Sequence, residues 1–219
     1  MDKVTVFGLG LDKLTLFALA VLLLALTPGP VWIYLISRTL TQGRRAGYFS
    51  LIGVMAGVLV HLMAAALGLS ALLLALPAAF DAIKLAGAAY LLWLAWSTLR
   101  GSGFSFTPQP LDPVPDRVLF RQSLTASVVN PKVAVFYLSL FPQFVDPASG
   151  PVLLQSLALG IVHVTVSTLV DGALVTVAGA LSVWIARRPG WLRMQRWVLG
   201  SAFGALAVWL AATPRHSPH

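Results

Sequence analysis

Two histidines, one lysine and one aspartate lie deep in apolar stretches of this chain: His61, Lys132, His163 and Asp171. A lysine at the centre of a bilayer costs about 2.5–3.5 kcal/mol unless it is paired or wetted. Lys132 stands about ten residues from either end of its apolar run, too deep to snorkel easily, so it suits a substrate carboxylate or an aspartate partner. Asp171 is the natural partner. It either neutralises Lys132 or works: a lone carboxylate in a span can hold an amino group or carry an exchanged proton, and protonating it would release a bound ammonium. A single histidine in a helix bundle is more often a hydrogen-bonded packing residue, and His61 and His163 are read that way. Lys84 follows Asp81 by three residues, as a surface ion pair or a gate at the mouth of a span.

Other chemistries find less. Ser167 or Ser139 with His163 or His61 would be needed for a nucleophile and base, but no Gly-x-Ser-x-Gly elbow occurs and the cysteine count is zero. An intramembrane enzyme is therefore a remote reading, and no catalytic residue or cofactor is expected. The missing thiols also remove disulfides and soft-metal sites, and one aspartate with two histidines is thin for a metal cage. A metal or small-ion transporter stays as the alternative, with no metal ligand assigned.

These residues are positioned by helices that the sequence itself interrupts. Thr27-Pro28-Gly29-Pro30 breaks the run from Leu14 to Ile36, and Asn130-Pro131-Lys132 breaks another about one hundred residues later. Proline lacks the backbone donor and clashes with the preceding turn. Carbonyls freed in lipid are tolerated only where protein or a water-filled cavity satisfies them. Paired breaks at matching places in two halves point to a transporter's binding site, so Thr27, Pro28, Gly29, Pro30, Asn130, Pro131, Lys132 and Asp171 are the candidate substrate residues, with Asp171 also the proton-coupling group.

The frame is an all-α integral membrane protein. Only 10% of the 219 residues are charged, 58% are hydrophobic, and mean hydropathy is +0.86. Apolar runs predict six spans within one transmembrane domain: about 14–37, 46–69, 82–99, 119–141, 152–185 and 191–212. Spans 1 and 4 are the broken ones. They divide into two inverted three-helix repeats, 11–100 and 117–212, joined by a proline-rich cytoplasmic linker, 101–116. Gly53, Gly57, Gly68, Gly87 and Gly200 read as close helix-packing points, and most tryptophans as interfacial anchors. An echo of Asp2 to Phe7 in Asp12 to Phe17 carries no assigned function.

The net charge is +8, and the cations sit in short loops, where they act as topology signals and contacts to anionic lipid rather than a nucleic-acid surface. Arg38, Arg44, Arg45, Arg100, Arg117, Arg121, Arg187, Arg188, Arg193 and Arg196 fall on one side, against Lys3, Lys13, Lys84 and Arg215 on the other. That bias places both termini outside.

Thr27-Pro28-Gly29-Pro30, Lys84-Leu85-Ala86-Gly87-Ala88-Ala89-Tyr90-Leu91, and Asn130-Pro131-Lys132 followed by Phe136 and Phe141-Pro142-Gln143-Phe144 together resemble the motifs of the LysE/RhtB-type amino-acid exporters. The resemblance covers nearly the whole chain from Leu11. It implies a bacterial inner-membrane exporter of an amino acid or derivative, driven by protons, with both breaks lining the substrate path and a homodimer or small oligomer as the assembly. Few intramembrane charges favour a neutral substrate such as threonine, homoserine or leucine.

Overall fold

The computed structural model describes residues 5–75 and 111–186 throughout, and parts of 85–100 and 194–212. The chain opens on a small antiparallel ribbon, β1 (Thr5–Val6) and β2 (Leu9–Gly10), which the all-α expectation missed. Its turn puts Phe7 at φ 52° and Gly8 at φ 85°, the paired left-handed geometry of a tight hairpin. Thr5 to Phe7 of the first copy of the N-terminal echo lie in the ribbon and its turn, while the second copy lies in the first helix. The same local pattern thus yields two structures.

Helix α1 (Leu11–Leu26) ends at the first break, and α2 begins at Pro30, where a missing N–H costs nothing. The long α2 (Pro30–Ala75) is two helices joined at Gly43, whose φ of 84° and ψ of 171° are non-helical. The expected loop after Ser37 is thereby reduced to one residue, and Arg38 to Gln42 stay helical. This corrects the placement of Arg38 as a loop cation. It is buried, and its guanidinium donates to Gln42 Oε1 (3.0 Å), Gln122 Oε1 (2.8 Å) and the Asp112 carbonyl (2.7 Å).

Helix α3 (Asp116–Val128) stops at the second break. The chain resumes as α4 (Pro131–Val135), a π-turn over Phe136–Leu140 and a 3₁₀ turn over Phe141–Phe144, bent 48° from α3. Helix α5 (Val152–Ala186) is a single long element over the range predicted for span 5.

The distribution of side chains is that of a protein dissolved in lipid. Ile52, Leu67, Ile161 and Leu169 are exposed, while Arg38, Asn130, Gln155, His163, Ser167 and Asp171 are buried. In a soluble protein this ordering would be reversed. Among the described residues, Pro30–Gly68 and Val152–Ala178 are long and apolar enough to cross a membrane, and the bent pair Asp116–Val128 with Pro131–Phe144 makes a third. The protein is a multi-pass membrane protein. About half of predicted spans 3 and 6, the 101–110 part of the linker, and Lys84 lie outside the described residues.

Glycines bring α2 and α3 together. A Cβ on Gly53 would strike Ser123 Oγ, and one on Gly57 would stand 2.5 Å from Ser127 Cβ. Two small residues spaced by four on each helix thus let the backbones touch. Gly200 meets Leu99 in the same way, whereas Gly68 has nothing within 4 Å among the described residues.

Candidate functional site

The first break is held from both sides. Thr27 closes α1 by donating its N–H to the Leu24 carbonyl (3.3 Å) and its Oγ1–H to the Leu23 carbonyl (2.6 Å). Neither Pro28 nor Pro30 has an N–H to contribute. The carbonyls of Leu24 and Thr27 instead receive Lys132 Nζ, at 2.9 and 2.8 Å. A cation there also meets the negative end of α1's dipole. Gly29 lies beside it: a Cβ at that position would stand 3.6 Å from Nζ, an ordinary contact. The sequence pointed Lys132 at a carboxylate. In the structure it caps a broken helix, and among the described residues no ion pair joins it to Asp171 within 4.0 Å.

The second break is capped locally. Asn130 Oδ1 accepts from the Lys132 N–H (3.1 Å), and Pro131 takes the first helical position. The Ser127 carbonyl, near the end of α3, accepts from the Asn130 N–H (3.2 Å) and faces His61 Nε2 at 3.4 Å. Ser127 Oγ donates across the helix contact to the Val54 carbonyl (3.0 Å).

Between the breaks lies a cavity of about 40 Å³. Its polar lining is Ser127, Asn130, Lys132, His163, Ser167 and Asp171; its apolar lining includes Leu24, Ala25, Val31, Trp32 and Val133. Flanking residues of both breaks and Asp171 therefore border one space. The other sequence candidates, Thr27, Pro28, Gly29, Pro30 and Pro131, do not line it, although the Thr27 carbonyl holds Lys132, which does. Asp171 and Trp32 face each other on this cavity, both buried, with no partner for Asp171 Oδ1 or Trp32 Nε1 within 3.5 Å.

Sequence reasoning passed over Trp32, Ser127 and Tyr137, and weighed Ser167 only as a nucleophile. One signal was available. His163, Ser167 and Asp171 are spaced by four, which aligns them on one face of α5. Trp32 falls in the first turn after the proline break, where free N–H groups point outward. Nothing in sequence spacing marks Tyr137.

Comparison with known proteins matches the stretch of chain that holds both breaks. The model of the LysE type translocator family matches residues 22–213. An uncharacterized membrane protein of Pseudomonas aeruginosa is 33% identical over 185 residues, 82% of this chain and 86% of its own length. The homoserine/homoserine lactone efflux protein of Salmonella typhimurium is 32% identical over 182 residues, 83% of this chain and 87% of that protein. A leucine efflux protein of the same species is 30% identical over 134 residues, 59% of this chain and 62% of that protein. No solved structure matches at significance.

Proposed function

The chain belongs to the LysE translocator family, and on that premise we propose that it exports a neutral amino acid or close derivative across the bacterial inner membrane in exchange for protons. The observation that carries this reading is the single cavity bordered by both helix breaks, Lys132 and Asp171. The substrate carboxylate takes the open N-terminus of the helix that starts at Pro30, where free N–H groups and the positive dipole end face the cavity. Lys132 turns one of its two carbonyl contacts toward the same carboxylate. Asp171 receives the ammonium; when a proton arrives on its carboxylate, that attraction is lost and the substrate leaves.

One cation and one carboxylate match the two charges of a zwitterion and leave none for a charged side chain, which supports a neutral substrate. Relatives named for homoserine and leucine efflux support the same class. A formed ligand pocket is of order 300 Å³ or more, and a water needs about 10–15 Å³, so the cavity of about 40 Å³ has room for water but not for an amino acid. The substrate therefore needs a wider site than this one. Opening it calls for the halves to rock, which fits six spans arranged as inverted repeats 11–100 and 117–212 across the 101–116 linker, with both termini outside. A homodimer is the proposed assembly, and Lys84 the proposed outer gate.

The test is counterflow of labelled amino acids in proteoliposomes, followed by transport driven by a pH gradient. Wild type should exchange homoserine, threonine or leucine and respond to the gradient. Asp171→Asn should remain folded and lose the gradient response. Wild-type behaviour in that variant removes Asp171 from coupling, and failure of every neutral amino acid removes the substrate class.

A further inference from the structure

Asp171 and Lys132 share their cavity with a third titratable side chain. His163 lies two turns closer to the Val152 end of α5, with Ser167 midway, and all three line the space. The ring of His163 is 1% exposed and held on several sides. Tyr137 stacks on it at 5.2 Å and 11°, while Phe17 and Phe136 meet it edge to face at 6.5 and 5.3 Å. The Tyr137 hydroxyl, itself buried, stands 3.1 Å from Nδ1.

The two ring nitrogens therefore differ. Either atom of the Tyr137–Nδ1 contact can be the donor; when Nδ1–H donates to the Tyr137 oxygen, Nε2 keeps its lone pair. Nε2 makes no hydrogen bond among the described residues, and the His163 side chain is one of those lining the cavity. The titratable or charged groups around His163 are His61 from α2, Lys132 and Tyr137 from the segment after the second break, and Asp171 on its own helix. Helix α1 presents Phe17. No carboxylate bonds to the imidazole among the described residues, so a structural His–Asp pair does not account for its burial.

We propose that His163 is a second proton site of the transport cycle, oriented by Tyr137 and delivering its proton to Asp171 along the Ser167 face. This rests on the proton-coupled exporter reading. A proton entering from the Val152 end, outer in the proposed orientation, binds Nε2 and forms an imidazolium. That proton then leaves Nε2 for a cavity water or the Ser167 hydroxyl, which passes one on to the Asp171 carboxylate. His163 returns to its neutral tautomer, Asp171 becomes a neutral carboxyl, and the substrate ammonium is released. Only N–H and O–H bonds change. Tyr137 is a positioning residue: without its hydroxyl the ring has no preferred tautomer.

The experiment compares Tyr137→Phe, His163→Gln and His61→Gln with wild type, as full-length protein in proteoliposomes. Tyr137→Phe keeps the aromatic ring and its stack and removes one oxygen. It should slow gradient-driven transport about tenfold or more, and counterflow without a gradient by less. His163→Gln should lose the gradient response as well. His61→Gln removes the other imidazole that stacks on Tyr137, at 5.9 Å, and should keep both activities. Unimpaired gradient-driven transport in Tyr137→Phe overturns the proposal, even should His163→Gln fail to fold. Equal losses in His61→Gln and Tyr137→Phe also overturn it, because they would mark a packing effect. Wild type without counterflow refutes the exporter reading instead, and wild type with counterflow but no gradient response refutes coupling; either takes this proposal with it.

Discussion

Gly57→Ala adds one methyl group where α2 and α3 touch. Its Cβ would lie 2.5 Å from Ser127 Cβ, 2.6 Å from Ser127 Oγ and 3.1 Å from the Leu124 carbonyl, against an ordinary carbon contact of about 3.5–4.0 Å. The backbone carbonyl cannot step aside, so the helices must part. Overpacking of this kind costs about 1–3 kcal/mol. The Ser127 hydrogen bond to Val54 stretches with it, for a further loss of about 0.5–1.5 kcal/mol. Alanine's better helix propensity returns about 1 kcal/mol. The net is a loss of about 2 kcal/mol, or a melting temperature lower by about 4–8 °C in a chain of this size. Thermal unfolding in detergent, followed by tryptophan fluorescence or by size exclusion after heating, reads this directly. Gly172→Ala is the matched control. Its Cβ meets only Leu51 Cδ2 at 3.8 Å, so it should be neutral or slightly stabilising. If both variants melt at the wild-type temperature, the close approach of α2 and α3 is not a determinant of stability and the packing argument fails. Because Ser127 also lines the cavity, Gly57→Ala should depress counterflow while Gly172→Ala spares protein yield.

Lys132→Met strips the donor from two carbonyls, at about 1–3 kcal/mol each, while removing a buried cation returns about 2.5–3.5 kcal/mol. The variant should therefore fold with little change in melting temperature and lose counterflow; retained counterflow would refute a role at the substrate. Arg38→Ala releases the 111–115 segment from α2 and should speed proteolytic cleavage there, with each lost charged hydrogen bond worth about 1.5–3 kcal/mol. Unchanged cleavage would show that Arg38 does not anchor it. Arg45→Ala removes an exposed pair with Asp116, 2.6 Å apart, and should shift stability by no more than about 1 kcal/mol in the same melting assay.

Local sequence rules reached the breaks and stopped at their partners. Pro28, Pro30 and Pro131 interrupt a helix in any surroundings, because the missing N–H and the ring clash are intramolecular. Gly53 and Gly57 were legible as packing sites for the same reason: a small residue every fourth position makes a groove. Arg38 was misread because cations after a span usually mark its end, and only the folded chain supplies Gln122 and the Asp112 carbonyl to receive one. The N-terminal ribbon was missed because two-residue strands carry no hydrophobic period.

From its sequence alone the chain was a membrane protein of this family, with two interrupted helices and a few costly polar groups that needed partners. Which partners they found was a tertiary decision. Lys132 meets Leu24 and Thr27 across 108 and 105 residues, and Tyr137 meets His163 across 26. Helix periodicity relates only residues three or four apart, so it cannot rank an aspartate against a carbonyl at such separations. That choice followed from close packing. Small residues let α2 and α3 approach, the second break bent the chain by 48°, and the bend set Lys132 beside the open end of α1 rather than against Asp171. The carboxylate was thereby left facing Trp32 on the cavity.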